Sequence, residues 1–192
     1  MEKDPIKRFK EAQARAEENG VMLAEAAALA TADDKGRPSL RMVLLKGVDR
    51  RGFVFYTNTE SRKAQEMAVN SHVALCCWWP PLQEQVRIEG AVETVSAAEA
   101  DEYFRTRDRN SQIGAWASKQ SRAMPSRETL IDAFEEIRLR YEGHEVPRPP
   151  HWTGYVLVPQ RIEFWRGRPY RLHERYLYTR EGDGWVVSLL YP

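Results

Sequence analysis

The stretch that decides the fold is residues 26–57, which read AAALATADDKGRPSLRMVLLKGVDRRGFVFYT. Three runs within it, 26–32, 39–46 and 53–57, are mostly apolar, and clusters of Asp, Gly and Pro separate them. Such clusters favour tight turns. Three short strands joined by tight turns predict an antiparallel meander.

The rest of the chain adds more strands, with helices inserted between them. Hydrophobic alternation and turn residues predict strands over 72–79, 84–95, 154–165, 170–178 and 185–190. Helical periodicity and capping residues predict helices over 5–20, 61–69, 96–107 and 126–141. Strands and helices do not alternate regularly, which disfavours a doubly wound sheet. We therefore predict a mainly β (α+β) protein, an antiparallel barrel decorated by helices.

Side-chain periodicity predicts which faces are buried. In the strand over 84–95, one face carries Val86, Ile88 and Val92. The apolar stripe of the first helix is Ile6, Phe9, Ala12 and Ala16, and that of the last helix is Leu130, Phe134, Ile137 and Tyr141. The expected N-caps of the later helices are Ser61, Ser96 and Ser126.

Composition disfavours several classes of protein. The chain has 192 residues, 42% of them hydrophobic and 30% charged, with a formal net charge of +1. Near-neutral charge without a basic stripe disfavours binding to nucleic acid or to an anionic membrane. The charged N-terminus resembles no signal peptide and no apolar run could span a membrane, so we expect a cytoplasmic protein. We expect one domain, 1–192, with an N-terminal helix in 1–20 and the last strands in 147–192.

Three further features bear on the chemistry. Cys76 and Cys77 are adjacent in a predicted strand and point to opposite faces, so no disulfide is expected. No metal site is expected either, because no His or Cys lies at ligand spacing from them. Of the 29 basic residues 22 are Arg, which suits bidentate binding of phosphate or carboxylate; a genomic preference for Arg codons is the alternative. The absence of G-x-G-x-x-G and Walker A sequences disfavours a Rossmann or P-loop site.

The first candidate site is Arg171-Leu-His-Glu-Arg175. In a strand, Arg171, His173 and Arg175 share one face and Glu174 lies on the other. Two guanidiniums beside an imidazole repel each other, which favours an anionic ligand between them. A solvated outer face of the barrel is the alternative.

The second candidate site combines Tyr103, Arg107 and Ser111. Tyr103 and Arg107 are four apart on a predicted helix and hence neighbours, and Ser111 follows where we expect that helix to fray. A phenol, a guanidinium and a hydroxyl suit a phosphate group. Ordinary packing of a Tyr/Arg pair is the alternative.

The third candidate site is Ser61-Arg62-Lys63, at the first turn of a predicted helix. Unpaired N–H groups and the positive end of the dipole make this turn an anion site. Because basic side chains are unfavourable there, a bound phosphate explains them, although an ordinary N-cap with solvated cations is the alternative.

Three candidate anion sites in one small chain predict a phosphorylated cofactor and a phosphorylated substrate. Tyr56, Trp116 and Trp165 are candidate stacking surfaces for flat rings, although aromatic side chains more often pack in cores. The sequence offers no Ser-His-Asp or Cys-His arrangement and no paired carboxylates. Chemistry carried by a cofactor is therefore favoured.

Seven motifs follow one another along the chain: Arg41-Met-Val-Leu-Leu-Lys46, Phe55-Tyr-Thr-Asn with Ser61-Arg-Lys63, Gln85-Val-Arg, Ser111-Gln-Ile-Gly-Ala, Ser118-Lys-Gln-Ser121, Ile162-Glu-Phe-Trp165 and Arg171-Leu-His-Glu-Arg175. Together they resemble the pyridoxamine/pyridoxine 5′-phosphate oxidase family, from about Asp4 to the C-terminus. The resemblance implies a split β-barrel that binds FMN at the interface of a homodimer.

The resemblance also implies a set of residues for each ligand. FMN contacts fall on Arg41, Lys46, Tyr56, Thr57, Arg62, Lys63, Gln85, Gln120, Ser121, Trp165 and Arg175, with Arg62 and Lys63 at its phosphate. Substrate contacts fall on Lys46, Tyr103, Arg107, Ser111, Arg171 and His173. Of these, Arg171 and His173 are the implied catalytic residues, placed against the pyridine ring.

The implied reaction is oxidation of pyridoxamine or pyridoxine 5′-phosphate to pyridoxal 5′-phosphate. Hydride passes from substrate C4′ to flavin N5, and O2 reoxidises the flavin to give H2O2; Arg171 holds the ring, with His173 assisting. One geometric point stands out, because Arg41 and Lys46 point to opposite faces of a regular strand. Either the strand ends or bulges between them, or the two residues reach ligands in different subunits.

The chain departs from the family pattern in three places. The resemblance leads us to expect a basic segment before Asp4 that this sequence does not show. Leu189 stands where an Arg is common, and Thr153 replaces a Gly. The rival interpretations are a sister flavoenzyme, such as the oxidases of phenazine biosynthesis, and a non-catalytic protein that binds FMN or pyridoxal phosphate.

Overall fold

The computed structural model describes residues 2–192. In this part of the chain the strands are β1 (Ala26–Ala32), β2 (Pro38–Asp49), β3 (Gly52–Asn58), β4 (His72–Trp79), β5 (Glu84–Thr94), β6 (Trp152–Arg166), β7 (Glu174–Glu181) and β8 (Gly184–Leu189). The helices are α1 (Pro5–Glu18), α2 (Arg62–Val69), α3 (Ala97–Thr106), α4 (Arg109–Ala117) and α5 (Arg127–Arg140). The meander predicted over 26–57 is confirmed as β1 to β3.

The strands form an antiparallel barrel that β6 closes. The order is β3-β2-β1-β4-β5-β6, and β6 pairs back with β3. The first part of β6, from Trp152 to Leu157, makes this closing contact, whereas the last part, from Arg161 to Arg166, pairs with β7. β7 and β8 therefore extend the sheet beyond the barrel. The predicted mainly β barrel with inserted helices is confirmed.

Helix α1 packs against the barrel core. The side chain of Asp4 caps it by accepting two backbone N–H bonds, at 2.9 and 3.4 Å. Phe9, Ala12 and Ala16 are buried, as the apolar stripe predicted. The ring of Phe9 meets that of Phe53 edge-on at 4.9 Å between centroids. Full burial of such a side chain contributes about 1.5–3 kcal/mol, so α1 is held by the barrel.

Strand β2 carries a bulge at Lys46. Leu45 and Gly47 pair with successive residues of β3, and the register shifts between them at Lys46. A bulge of this kind redirects a side chain relative to the regular alternation. Arg41 lies before this bulge, in the regularly paired part of β2, and the two side chains still point to opposite faces of the strand. How both residues reach one ligand therefore stays open.

A second core lies where α3, α4 and α5 meet the start of β6. Its buried residues are Phe104, Ile113, Ile137, Val146 and Trp152. Of the stripe predicted for α5, Ile137 is buried, but Leu130 is 37% exposed. The prediction is therefore wrong for Leu130. The reason is that α5 packs mainly on α4 and not on the sheet.

The helix starts agree only in part with the predicted caps. Ser96 Oγ accepts the N–H of Glu99 at 3.1 Å, as predicted. The side chains of Ser61 and Ser126 make no capping bond. Ser61 Oγ instead donates to the carbonyl of Asn58 at 2.7 Å, because the turn before α2 offers this closer acceptor.

One face of the sheet leaves apolar side chains uncovered. Leu40 and Met42 of β2 are 68% and 63% exposed, and Trp78 of β4 is 48% exposed. The strand register places Met42, Ala28 and Cys76 in one row across β2, β1 and β4, so these side chains share a face. We call this surface the apolar outer face. Contiguous apolar patches of this kind mark interaction sites.

The two cysteines lie on opposite faces of β4, as predicted. Cys77 is buried, Cys76 is half-buried, and both are free thiols. Within residues 2–192, no helix combines the length and the apolar character needed to cross a membrane.

Candidate functional site

A cleft of about 520 Å³ opens where β2, β3 and the start of α2 meet α3 and α4. Its lining residues are Met42, Val43, Leu44, Lys46, Tyr56, Thr57, Lys63, Tyr103, Arg107, Asp108, Ser111, Gln120 and Trp152. The residues implied for FMN or substrate that meet here are Lys46, Tyr56, Thr57, Lys63, Tyr103, Arg107, Ser111 and Gln120. The fold thus gathers β2, β3 and three helices around one cavity.

Lys63 is a buried cation without a counter-charge. The first turn of α2 brings its ammonium into the cleft, where Nζ donates to Thr57 Oγ1 and Gln120 Oε1, both at 3.0 Å, and to Ser61 Oγ at 3.3 Å. All three acceptors are neutral, and no carboxylate of residues 2–192 forms an ion pair with it. Burial, with a smaller contribution from the charge of Arg41, lowers the pKa of Lys63 to about 8. A buried ammonium with neutral acceptors only favours an anionic ligand in the cleft.

Beside Lys63, the buried carboxylate of Glu66 holds two arginines. Its oxygens accept from Arg62 Nε at 2.8 Å and from Arg41 Nη2 at 3.3 Å. Burial raises the pKa of Glu66, but hydrogen bonds from two hydroxyls and both arginines outweigh it and bring the pKa to about 2. The three cations of this cluster are Arg41, Arg62 and Lys63, and the single carboxylate of Glu66 leaves it with two net positive charges. That charge, at a helix N-terminus, suits a phosphate dianion.

Arg107 supplies a second cation without a counter-charge on the other side of the cleft. Its Nη1 atom is buried and has no hydrogen-bond partner within residues 2–192, and burial lowers the pKa of the guanidinium. The neighbouring carboxylate of Asp108 caps α4 instead, accepting the N–H of Ser111 at 2.9 Å. Helix α3 ends at Thr106, before Ser111 as expected, and this cap begins a further helix, α4, which the sequence reasoning did not predict. Tyr103, Arg107 and Ser111 nevertheless line one cleft, as their spacing predicted.

Trp152 is a cleft residue that the sequence reasoning missed. Its ring stacks on Tyr56 at 5.1 Å, and Tyr56 stacks on Tyr103 at 4.0 Å. Gly154 makes room for this arrangement, since a Cβ atom there would lie 2.6 Å from Tyr56 Cε1. The Trp-x-Gly spacing at 152–154 was the available signal. Thr153, which departs from the family pattern, does not occupy the constrained position.

Another group of implied residues lies outside the cleft. Trp165 pairs across the sheet with Gln85 and with Arg175, and its ring centroid is 4.6 Å from that of His173. Glu163 fixes Arg175 by accepting from its Nε at 2.8 Å and from its Nη2 at 3.1 Å. None of these side chains lines the cleft described above.

The strand argument for Arg171, His173 and Arg175 is wrong. Strand β7 begins only at Glu174, because a 3₁₀ turn precedes it with Tyr170 and Arg171 in left-handed conformations, at φ 59° and 61°. The three side chains therefore do not share one strand face. Arg171 is exposed, and Nδ1 of the half-buried His173 accepts a backbone N–H at 3.2 Å.

Ser121 and Trp116, two further residues that the sequence analysis proposed as ligand contacts, do not line the cleft. Ser121 lies in an exposed loop directly after Gln120 and has φ 70°. Trp116 donates its Nε1–H to the carbonyl of Pro147 at 2.7 Å and packs against Tyr141. It is a packing residue of the second core and does not line the cleft, so its candidacy as a stacking surface there is not supported.

The two groups of implied residues lie at opposite ends of β6. Trp152 begins the strand beside the cleft, and Trp165 nearly ends it. At about 3.3 Å per residue, the extended chain between them spans roughly 40 Å. One copy of the chain therefore does not bring both groups to one small ligand.

Two family models together match most of the chain. A family model described as "Pyridoxamine 5'-phosphate oxidase" matches residues 14–141, and one described as "Pyridoxine 5'-phosphate oxidase C-terminal dimerisation region" matches residues 152–192. A pyridoxine/pyridoxamine 5′-phosphate oxidase of Anaeromyxobacter dehalogenans is 56% identical over 189 residues, covering 98% of this chain and 96% of that relative. One of Myxococcus xanthus (strain DK1622) is 53% identical, covering 98% and 92%.

Solved structures share the fold. PhzG from Burkholderia lata 383, crystallised with tetrahydrophenazine-1-carboxylic acid, superposes with a TM-score of 0.95 at 32% identity, covering 100% of this chain and 94% of that one. An FMN binding protein from Nostoc punctiforme, related to pyridoxamine 5′-phosphate oxidase, has a TM-score of 0.78 at 20% identity and full coverage of both chains. The second likeness concerns the fold alone.

The barrel and its cationic cleft define an FMN-binding split-barrel flavoprotein. The buried ammonium of Lys63, which has no carboxylate partner, fits the phosphate of that cofactor. The chain belongs to the pyridoxine/pyridoxamine 5′-phosphate oxidase family. It is an oxidase of this family with FMN as its cofactor, and its dimerisation region makes it a homodimer.

Proposed function

We propose that this chain oxidises pyridoxamine 5′-phosphate and pyridoxine 5′-phosphate to pyridoxal 5′-phosphate, with O2 as the electron acceptor. The observation that carries the proposal is a pair of cations without an ion-pair partner within residues 2–192, the buried Lys63 and the half-buried Arg107, that line one cleft. Two such charges require two anionic groups, and a phosphorylated cofactor beside a phosphorylated substrate supplies both.

The phosphate of FMN would be held on the α2 side of the cleft. Lys63 and Arg62 are the donors there, and Arg41 adds charge from β2 while Glu66 fixes both arginines. The substrate phosphate would be held on the α3–α4 side by Tyr103, Arg107 and Ser111. Lys46 lies at the bulge between the two sides, where it also pairs with Glu25 at 3.2 Å.

The rest of the site would come from the second subunit. Gln85, Trp165, Arg171, His173 and Arg175 are too far along the sheet to join the cleft of their own chain. All but Gln85 fall within the matched dimerisation region, 152–192. The apolar outer face is continuous, along β4 and β5, with the strand ends that carry these residues. Pairing of two copies through this face would cover it and place FMN at the interface.

The chemistry divides between cofactor and protein. When bound, FMN would supply a two-electron acceptor for the hydride from substrate C4′, while the hydroxyl or amino group of the substrate loses a proton; O2 would then take up the two electrons with two protons to give H2O2. Arg171 would hold the pyridine ring and its phenolic oxygen, and His173 would assist by hydrogen bonds. The protein contributes mainly orientation, which alone can supply several kcal/mol of the barrier reduction. The alcohol substrate gives the aldehyde directly, and the amine gives an imine that water hydrolyses.

The test is the visible spectrum of the FMN-loaded protein before and after anaerobic addition of pyridoxine 5′-phosphate. We expect the flavin band to bleach and to return when air is admitted, with H2O2 formed. A band that persists with both phosphorylated substrates would contradict the proposed reaction while leaving FMN binding intact.

The likeness to PhzG raises a second candidate, oxidation of a reduced phenazine. A carboxylic acid such as tetrahydrophenazine-1-carboxylic acid brings one negative charge and no phosphate. The Tyr103, Arg107 and Ser111 group suits a phosphate dianion better. Bleaching by pyridoxine 5′-phosphate but not by the reduced phenazine would decide for the first function, and the reverse result would decide for the second.

A further inference from the structure

Trp152 touches the side chains that line the substrate side of the cleft. Its ring stacks on Tyr56 within 10° of parallel, and it lies 6.2 Å from the ring of Tyr103. The guanidinium carbon of Arg107 lies 5.1 Å from the ring centre. Trp152 itself is 6% exposed, and the resemblance assigns it no role.

The position of Trp152 is fixed independently of any ligand. Its backbone N–H donates to Pro149 at 3.1 Å, and its carbonyl accepts from Arg148 Nη1 at 2.7 Å. The ring of Phe104 meets it edge-on at 5.0 Å. A ring held in this way presents its face to Arg107 before substrate arrives.

Arg107 needs a stabilising neighbour that does not neutralise it. Its guanidinium is half-buried, and one of its nitrogens has no hydrogen-bond partner within residues 2–192. A carboxylate would stabilise the charge but would also compete with a substrate phosphate. An aromatic face attracts the cation and leaves its donors free, and Trp is the strongest of the aromatic rings in this respect. Phe104 adds a weaker contact at 5.6 Å.

We propose that Trp152 is a positioning residue for the substrate phosphate, which acts by holding the charged guanidinium of Arg107 in the cleft. Trp152 thereby sets the preference for ligands that carry a 5′-phosphate over the same ligands without it. This inference rests on the proposed function, because that function places the substrate phosphate at Arg107.

The experiment measures binding to the FMN-loaded dimer by calorimetry. The probes are 4-deoxypyridoxine 5′-phosphate, which lacks the oxidisable C4′ substituent, and 4-deoxypyridoxine, which also lacks the phosphate. The variants are Trp152→Leu and Trp152→Phe. The matched control is Trp185→Leu, which removes a Trp whose ring contacts Arg180 at 5.7 Å on β7 and β8, away from the cleft.

We expect Trp152→Leu to weaken binding of the phosphorylated probe about 3- to 30-fold. Binding of the unphosphorylated probe and of FMN should stay within about 2-fold. Trp152→Phe, which keeps a ring, should give a smaller loss of the same kind, and it carries the test if the Leu variant does not fold. The Trp185→Leu control should bind both probes as the unmodified protein does.

A double-mutant cycle separates positioning from general packing. In an Arg107→Met background, Trp152→Leu should have little further effect on the phosphorylated probe, because the residue through which it acts is gone. Equal weakening of both probes, or full additivity with Arg107→Met, would overturn the proposal. If the unmodified protein itself fails to prefer the phosphorylated probe, the proposed function has failed, and the inference fails with it.

Discussion

Replacement of Lys63 by Met should stabilise the apoprotein and weaken the holoprotein. The ammonium is buried among neutral acceptors, and its pKa falls from 10.5 to about 8. At about 1.36 kcal/mol per pKa unit this corresponds to a penalty of about 3 kcal/mol on the charged form, and solvent in the open cleft reduces it to about 1–2 kcal/mol. Lys63→Met removes that penalty, which should raise the Tm of the apoprotein by about 2–8 °C.

The same replacement should cost FMN affinity. Loss of one charge-assisted hydrogen bond to the phosphate is worth about 1.5–3 kcal/mol, or roughly 10- to 150-fold in Kd. Riboflavin, which lacks the phosphate, should bind the Lys63→Met variant and the unmodified protein alike. The substitution should thus raise apoprotein stability and lower FMN affinity. Such opposite effects are expected at a binding site whose charged side chain is unfavourable when no ligand is bound.

The pH dependence follows from the same shift. The pKa of Lys63 is lower in the folded chain than in the unfolded one, so the unfolded chain binds more protons between about pH 8 and 10.5. The contribution of this group to apoprotein stability should therefore rise with pH across that window, while FMN affinity falls as the ammonium is lost. In Lys63→Met both pH effects of this group should be absent.

The assay is thermal unfolding of apoprotein and FMN-loaded protein at pH 7 and pH 9, with FMN and riboflavin affinities taken from quenching of flavin fluorescence. Lys63→Arg, which keeps the charge, is the control. An apoprotein that Lys63→Met destabilises, or an unchanged ratio of FMN to riboflavin affinity, would refute the reasoning.

Two further predictions concern other parts of the site. Gly154→Ala should destabilise the protein by about 1–3 kcal/mol in urea unfolding, because its Cβ meets the ring of Tyr56 at 2.6 Å and forces it to move. Thr153→Gly is the control and should change stability less, so equal losses would argue against the close contact as the cause. Arg171→Gln should cut turnover sharply in an H2O2 assay while the flavin spectrum shows FMN still bound, since Arg171 lies outside the FMN-phosphate cluster. Full activity in that variant would remove Arg171 from the proposed catalytic role.

The parts of the fold that local patterns determine were predictable. Alternation along β5 and the stripe on α1 correctly identified the buried faces. Burial repeats every two residues in a strand and every 3.6 residues in a helix, so residues close in sequence are enough to reveal it. The end of α3 before Ser111 was expected, but helix α4 was not predicted, since its start depends on the cap that Asp108 makes. The late start of β7 depends on left-handed backbone at Tyr170 and Arg171, which non-glycine residues seldom adopt.

The candidate site was predictable as a set of residues but not as an arrangement. The helix spacing of Tyr103 and Arg107, and the helix start at Lys63, pointed to anion sites that the structure brings into one cleft. Trp152 was not predicted as a cleft residue, because its place there depends on contacts with residues distant in sequence. The separation of Trp165 and Arg175 from the cleft also could not be predicted, because strand length and barrel closure decide it.

The double use of β6 has a genetic consequence. One end of this strand closes the barrel beside the cationic cleft, and the other end carries Trp165 beside the β7 residues. In the proposed dimer each subunit therefore contributes a different half to each of two sites. A subunit damaged in its cleft and a subunit damaged at Arg171 would, when paired, concentrate both lesions in one site and leave the other whole. We therefore expect two inactive alleles of the same gene to complement each other when their products form mixed dimers.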